Sequence, residues 1–207
     1  MEATETPKVL LKIDLKNAFN TIRRDRMLST VREHLPDVYH LMHQAYGSDS
    51  LLFHGESQIT SATGLQQGDP AGPALFALTI DELVKSLTTE LNIWFLDDGT
   101  LGDTVPNVLD NLDRLLEGFP ELGAVLNGGK CEVIPLRHSA RELRETETLF
   151  RSRLPTIKFI VPENQQLLGS ALSDEAVPGL LSAKLAELKL LTSRLEKNRL
   201  APSTSFT

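Results

Sequence analysis

Phe95-Leu96-Asp97-Asp98 closes a short apolar run with two adjacent carboxylates, and a second run, Val9-Leu10-Leu11-Lys12-Ile13, closes with Asp14. Neighbouring strands that each stop at an aspartate bring their carboxylates around one hard cation, because Mg²⁺ prefers oxygen ligands. A pair of such ions activates an attacking oxygen and stabilises a leaving one. An Asp-Asp pair alone is common in surface turns, so the surrounding pattern decides what this one means.

Outward from these runs, Val9 to Asp14 reads as a strand. Ile22, Leu28, Val31 and Leu35 recur at near-helical spacing and predict a helix over 21–35, ended by Pro36 and followed by a second over 37–46 that stops at Gly47. Leu51 to Phe53 and Gln58 to Thr63 predict a hairpin, and the glycine-rich loop Gly64 to Gly72 opens a helix over 73–90. Asn92 to Leu96 and Thr100-Leu101 are expected to pair around an Asp97-Asp98-Gly99 turn. Val108, Leu112, Leu115, Leu116, Phe119 and Leu122 form one face of a helix over 105–122, with Gly123 as its stop. Ala124 to Leu126 and Cys131 to Leu136 read as strands joined by Asn127-Gly128-Gly129. Arg137 to Arg153 reads as a charged helix or a partly ordered insertion. Residues 157–161 and 166–172 are expected to form a last hairpin, and 178–200 a long helix; the small, polar tail 201–207 is expected to be disordered.

Taken in order, these segments resemble the palm of a reverse transcriptase of the non-LTR retrotransposon type. Ile13-Asp14-Leu15-Lys16-Asn17-Ala18-Phe19-Asn20 resembles the first metal-binding motif, with an aromatic residue five positions after the aspartate. Gly64-Leu65-Gln66-Gln67-Gly68-Asp69-Pro70-Ala71-Gly72-Pro73 resembles the template and nucleotide motif, and Phe95 to Asp98 the aromatic-x-Asp-Asp motif. Leu122 to Cys131 resembles the lysine-bearing motif, and Leu167-Leu168-Gly169 is similar to the hairpin of the primer grip. The resemblance implies an α+β fold whose antiparallel sheet carries the aspartates, with helices behind it and a partial thumb helix. It implies a palm over 1–172 with the fingers largely absent, a partial thumb or connecting helix over 173–200, and the tail.

What the resemblance implies for chemistry is RNA-directed DNA polymerisation from deoxynucleoside triphosphates on a primed RNA or DNA template. Asp14 and Asp97 would hold two Mg²⁺ ions, replaceable by Mn²⁺, with Asp98 in support. Phe19 stands at the steric-gate position that excludes a 2′-hydroxyl; the competing reading is a core phenylalanine. Gln67 and Gly68 would meet the incoming nucleotide and the template backbone, since glycine permits close approach and an amide both donates and accepts. Lys130 stands where the family's lysine protonates or neutralises the leaving pyrophosphate, although a surface lysine in a Gly-Gly-Lys turn reads the same way.

Composition bounds these readings. The 207 residues, 41% of them hydrophobic, suit one globular core, and no apolar run approaches the ~20 residues of a membrane span. The single Cys131 excludes an internal disulfide, the N-terminus has neither the basic start nor the apolar core of a signal peptide, and the five histidines show no zinc spacing. A soluble intracellular protein, or a piece of one, is the expectation. The net charge of −7 runs against phosphate binding, but its distribution is uneven. Residues 37–136 hold 15 acidic and 3 basic side chains, whereas 1–36, 137–158 and 184–207 are net basic. The short segment before Val9 leaves no room for fingers. Missing fingers and thumb, parts of a larger polyprotein, are therefore expected partners, and a catalytically silent retroelement-derived fragment, either a binding or scaffold module or a degraded gene product, is the alternative. A phospho-receiver domain would place its acidic pair on the first strand and a lone aspartate later, the reverse of the order here.

Overall fold

A computed structural model describes residues 6–136, 138–167, 170–172 and 174–199. The chain divides into two compact units, residues 1–159 and 160–207.

The first unit is built on β1 (Lys8–Asp14), in which Val9, Leu11 and Ile13 are buried while Leu10, Lys12 and Asp14 point to the other face. That alternation makes one face of the sheet core and leaves the other open. Next come a single helical turn, α1 (Ala18–Thr21), then α2 (Arg24–His34) and α3 (Pro36–Tyr46), the last with Pro36 in its first turn. The helix expected from Thr21 thus starts at Arg24. The backbone between is committed elsewhere: Gly64 N–H donates to the Ile22 carbonyl and Arg23 N–H to that of Leu122.

The hairpin β2 (Ser50–His54) and β3 (Ser57–Ser61) forms a separate two-stranded sheet, with Leu51, Leu52, Phe53 and Ile59 exposed. The helix α4 (Gly72–Lys85) ends five residues earlier than its periodicity suggests. The Thr88 amide is taken by the Asn111 side chain at 2.8 Å, which draws the chain away from the helix axis, while Leu87 still reaches the core.

The hairpin β4 (Leu91–Phe95) and β5 (Asp98–Thr104) turns at Leu96-Asp97, one residue earlier than expected, so Asp98 is the first residue of a strand. The helix α5 (Val105–Leu122) matches its expected bounds and buries Val108, Leu112, Leu115 and Phe119. Gly123 caps it at φ 83°, where an added Cβ would lie 2.5 Å from the Thr21 carbonyl oxygen. Only glycine fits that left-handed, crowded position.

Ala124 to Leu126 is not a strand: it contributes one bridge, Leu126 to Leu15, before the Asn127–Lys130 turn leads into β6 (Glu132–Leu136). The charged segment is an ordered helix, α6 (Ala140–Arg153), closed at its start by a Ser139–Glu142 capping box. β7 (Lys158–Phe159) does not join a hairpin with the segment after it. It pairs parallel to β6, because Ile157 enters the core and Phe159 packs edge-on against Phe150. The sheet order is therefore β4-β5-β1-β6-β7, antiparallel except at its last pair, with α5 packed on its core face and α4 and α6 against α5. This is the expected α+β architecture.

The second unit contains the two-residue strands β8 (Gln166–Leu167) and β9 (Ser170–Ala171) and the helix α7 (Val177–Arg199), whose Leu181, Leu185, Leu188 and Leu195 are exposed. Leu168 and Gly169 of the expected primer-grip hairpin, and the tail from 201, lie outside the described residues. Among the described residues no helix is long and apolar enough to cross a membrane.

Candidate active site

The register of the sheet sets the site. Asp14 stands directly opposite Asp98, and Lys12 lies opposite Thr100 on one side and Glu132 on the other. Because alternate residues share a face, Phe95, Asp98 and Asp14 form one row across the open face, and Ile93, Thr100, Lys12, Glu132 and Lys158 form the next. Lys12 binds Glu132 at 2.7 Å, and Lys130, carried in by the turn after Asn127, places its Nζ 3.5 Å from Asp14 Oδ1. A shallow cavity of about 260 Å³ lies between Asp14, Asp98, Lys130, Glu132 and Lys158.

Several features mark this end of the sheet as adapted to something other than stability. The second oxygen of Asp14, Oδ2, is buried and has no hydrogen-bond partner among the described residues. A buried carboxylate oxygen left unpaired costs free energy that a cation would offset. Asp98 is exposed as a residue, yet partial desolvation of its carboxyl first, then the neighbouring charges of Asp97 and Asp14, hold it above its ordinary range, with Lys12 and Lys130 acting in the opposite sense. Leu96 adopts φ 57°, a left-handed conformation that costs a leucine about 1–2 kcal/mol. Strain of this kind concentrates at functional sites. Asn17, three residues after Asp14, is left-handed as well, at φ 50°.

The seven residues singled out in the sequence divide into four groups. Asp14, Asp98 and Lys130 share the cavity. Asp97 occupies the hairpin tip beside them, and among the described residues no three carboxylate, imidazole or thiol groups already stand together as a cation site. Phe19 is half-buried and stacks on Phe76, with centroids 4.7 Å apart and planes within 17°. Gln67 and Gly68 are exposed on the loop before α4, where Gly68 takes φ 89° in open space, so its conformation rather than crowding calls for glycine.

Sequence reasoning passed over the second row. Lys12 sits two residues before Asp14, which on a strand fixes it to the same face, and that signal was available. Glu132 and Lys158 become neighbours only through pairings that carry no pattern of their own. Also missed was a network behind the glycine-rich loop, formed by Arg24, Tyr46 and Asp69. Cys131 is wholly buried, with its thiol pushed up by that burial, and its Sγ lies 3.7 Å from the Asp14 carbonyl oxygen; it packs the turn.

Comparison with known proteins bears on the family and the fold. Residues 1–165 match the family model for reverse transcriptase (RNA-dependent DNA polymerase). The chain is 27% identical over 146 residues to the retrovirus-related Pol polyprotein from the type-1 retrotransposable element R2 of Bradysia coprophila, covering 63% of this chain and 17% of that protein. It is 23% identical over 171 residues to the corresponding polyprotein from the type-2 element R2DM of Drosophila melanogaster, covering 72% and 16%. The chain thus spans less than a fifth of the length of these curated relatives. Among solved structures, apo telomerase from Candida tropicalis truncated from its C-terminal domain superposes with a TM-score of 0.55 at 12% identity, over 66% of this chain and 32% of that one. Candida tropicalis telomerase in complex with a fragment of telomeric RNA gives 0.50 at 12% identity, over 65% and 27%. These two likenesses show the fold. The chain belongs to the reverse transcriptase family, as a domain of the non-LTR retrotransposon type.

Proposed function

We propose that this domain is the palm of an RNA-directed DNA polymerase that adds deoxynucleotides to a primer 3′-hydroxyl on a nucleic-acid template. The observation that carries the reading is the pairing of Asp14 with Asp98 at one end of the sheet, with Asp14 Oδ2 buried and unpartnered. An orphaned carboxylate oxygen beside a second carboxylate of raised proton affinity is a donor set suited to a hard divalent cation. Asp14, Asp97 and Asp98 would hold Mg²⁺, or Mn²⁺ in its place. When bound, two such ions supply activation of the attacking oxygen and charge stabilisation of the leaving one.

The remaining steps belong to the chain's own groups. The exposed Gln67-Gly68 segment offers an amide and an unobstructed backbone to the nucleotide and the template. The Phe19 ring, fixed from below by Phe76, stands against the sugar and leaves no room for a 2′-hydroxyl. Lys130, 68% exposed at its side chain, is free to swing from Asp14 to the departing pyrophosphate and give it a proton or neutralise its charge. Primer, template and deoxynucleoside triphosphates are the partners of this reading, together with fingers and thumb regions of a longer polyprotein.

A second reading, a silent module that binds or scaffolds, draws on one observation: among the described residues the carboxylates do not converge into a ready cation site. Calorimetric titration of Mg²⁺ and Mn²⁺ into the chain and into Asp14→Asn, paired with primer extension, separates the two. The polymerase reading expects Asp14-dependent cation binding and Asp97-dependent extension once flanking regions are supplied. Cation binding that survives loss of Asp14 would sink it.

A further inference from the structure

Arg24 is placed where both helix electrostatics and burial disfavour it. It is the first residue of α2, at the positive end of the helix dipole, and it is 6% exposed. It makes no ion pair among the described residues. A buried guanidinium is costly unless its donors are met, and an apolar side chain would fill the same space at less cost. Its donors are met in one direction only. Nε donates to the Gly64 carbonyl at 2.8 Å, Nη1 to the Ser61 carbonyl at 2.7 Å and Nη2 to Ser61 Oγ at 2.9 Å. The planar fork thus fixes the point where the chain leaves β3 and enters the glycine-rich loop.

Its other face lies over the Tyr46 ring, 5.5 Å from the centroid. Tyr46 is 2% exposed, and its hydroxyl works in both senses. It donates to Asp69 Oδ2 and accepts from the Gln66 amide at 3.3 Å. Burial, followed by the carboxylate of Asp69, raises the phenol above its ordinary range and keeps it a donor. The other oxygen of Asp69 accepts from the Ala71 amide at 2.8 Å, and its carbonyl accepts from Gly72 N–H at 3.0 Å, so the same residue fixes the start of α4. The loop is held before Gln67 and after Gly68, Asp69 N–H closes the turn onto the Gln66 carbonyl at 3.2 Å, and among the described residues Gln67 and Gly68 make no hydrogen bond of their own.

We propose that Tyr46 and Arg24 are positioning residues that hold the Gln66–Gly68 loop in the shape in which it receives a nucleotide. The assignment rests on the polymerase reading, but its structural half can be tested without it. Tyr46→Phe removes only the hydroxyl and keeps the ring under Arg24; Asp69→Asn acts on the other end of the bond, nearer the surface, and serves if the first variant folds poorly.

Residue-resolved amide exchange on the 207-residue chain reads the anchor. The Gln66 amide, bonded to the Tyr46 hydroxyl, and the Asp69 amide, bonded to the Gln66 carbonyl, are expected to exchange about tenfold faster in either variant, the loss of roughly one hydrogen bond to a charged network, while Leu11, Leu101 and Val133 keep wild-type rates. Unchanged loop exchange, or acceleration spread evenly over the sheet, overturns the proposal. Binding of a fluorescent deoxynucleoside triphosphate with Mg²⁺ reads the purpose: Tyr46→Phe is expected to raise the nucleotide Kd several-fold while the Mg²⁺ Kd without nucleotide stays put. A loosened loop with wild-type nucleotide affinity also overturns it. Should the wild-type chain bind cation yet take no nucleotide, the polymerase reading fails, and the exchange comparison still decides the anchor.

Discussion

Asp14 and Asp98 face each other across the β1–β5 pair, and the Asp14 oxygen with no partner points into protein rather than solvent. Two carboxylates in that relation repel, and their repulsion is relieved by a proton or by a cation. Asp14→Asn is therefore expected to leave the fold intact or slightly more stable while abolishing binding of Mn²⁺, read by its paramagnetic broadening of nearby resonances. Retained broadening at Leu15 and Gly99 in the variant would show that the cation binds there without Asp14.

Phe19 has two jobs to separate. Its ring stacks on Phe76, so Phe19→Ala is expected to destabilise the domain by about 2–4 kcal/mol in urea titrations. Phe19→Val keeps part of the packing and opens the space above it. Primer extension with the complete polymerase should then accept ribonucleotides more readily. Sugar selection unchanged in Phe19→Val would assign the ring to packing alone.

Gly123 offers a purely structural control. Gly123→Ala must hold φ 83° and place a methyl 2.5 Å from the Thr21 carbonyl oxygen. A loss of at least about 1–2 kcal/mol is expected, visible as a lower melting temperature. Melting unaltered by this change would mean that the α5 terminus relaxes freely.

Asp103 gives the fold an acid limit. Burial by itself would raise its pKa, but the amides of Thr104 and Glu90 and the Asn107 side chain donate to it and bring the value below the ordinary one. A carboxylate whose folded pKa is depressed contributes stability above its unfolded pKa of ~3.9 and loses it as pH falls through the lower folded value. Asp103→Asn should cost about 1–3 kcal/mol at pH 7 and progressively less at acid pH, below ~3.9. A cost independent of pH in urea melts across this range would refute this.

The isolated chain should extend primers poorly. Each phosphate contact contributes about one unit to the slope of log affinity against log salt, and the acidic middle of this chain offers few. Weak primer–template binding that fades between low and physiological salt is expected, with extension restored by flanking regions and abolished again by Asp97→Asn. Robust processive synthesis by the chain alone would contradict it.

The parts legible in the sequence are those where a single periodicity governs. α5 has a wide apolar stripe, a proline in its first turn and a glycine just past its end, and its bounds follow directly. β1 alternates and stops at a charge. Where tertiary partners decide, local pattern fails: α4 ends early because Asn111 takes the Thr88 amide, and the two residues of β7 hold no pattern that could announce a parallel pairing. The site divides the same way. Asp14 lies at the end of a readable strand; Asp98 is expected in the turn, and only the pairing register sets it, rather than Asp97, opposite Asp14, while Arg24, Tyr46 and Asp69 span 45 positions and meet only once α2, α3 and the loop have packed. A lone buried arginine at a helix start reads in sequence as an ordinary surface cation.

Leu96 exchanges robustness for aim. Replacing it with glycine would release about 1 kcal/mol of left-handed strain and return a similar amount in chain entropy, so the melting temperature of the domain would scarcely move. What would change is the spread of positions open to Asp97, because the side chain that restricts the hairpin tip would be gone. Selection for a leucine there is blind to thermal stability and visible only to whatever requires the tip to stay still.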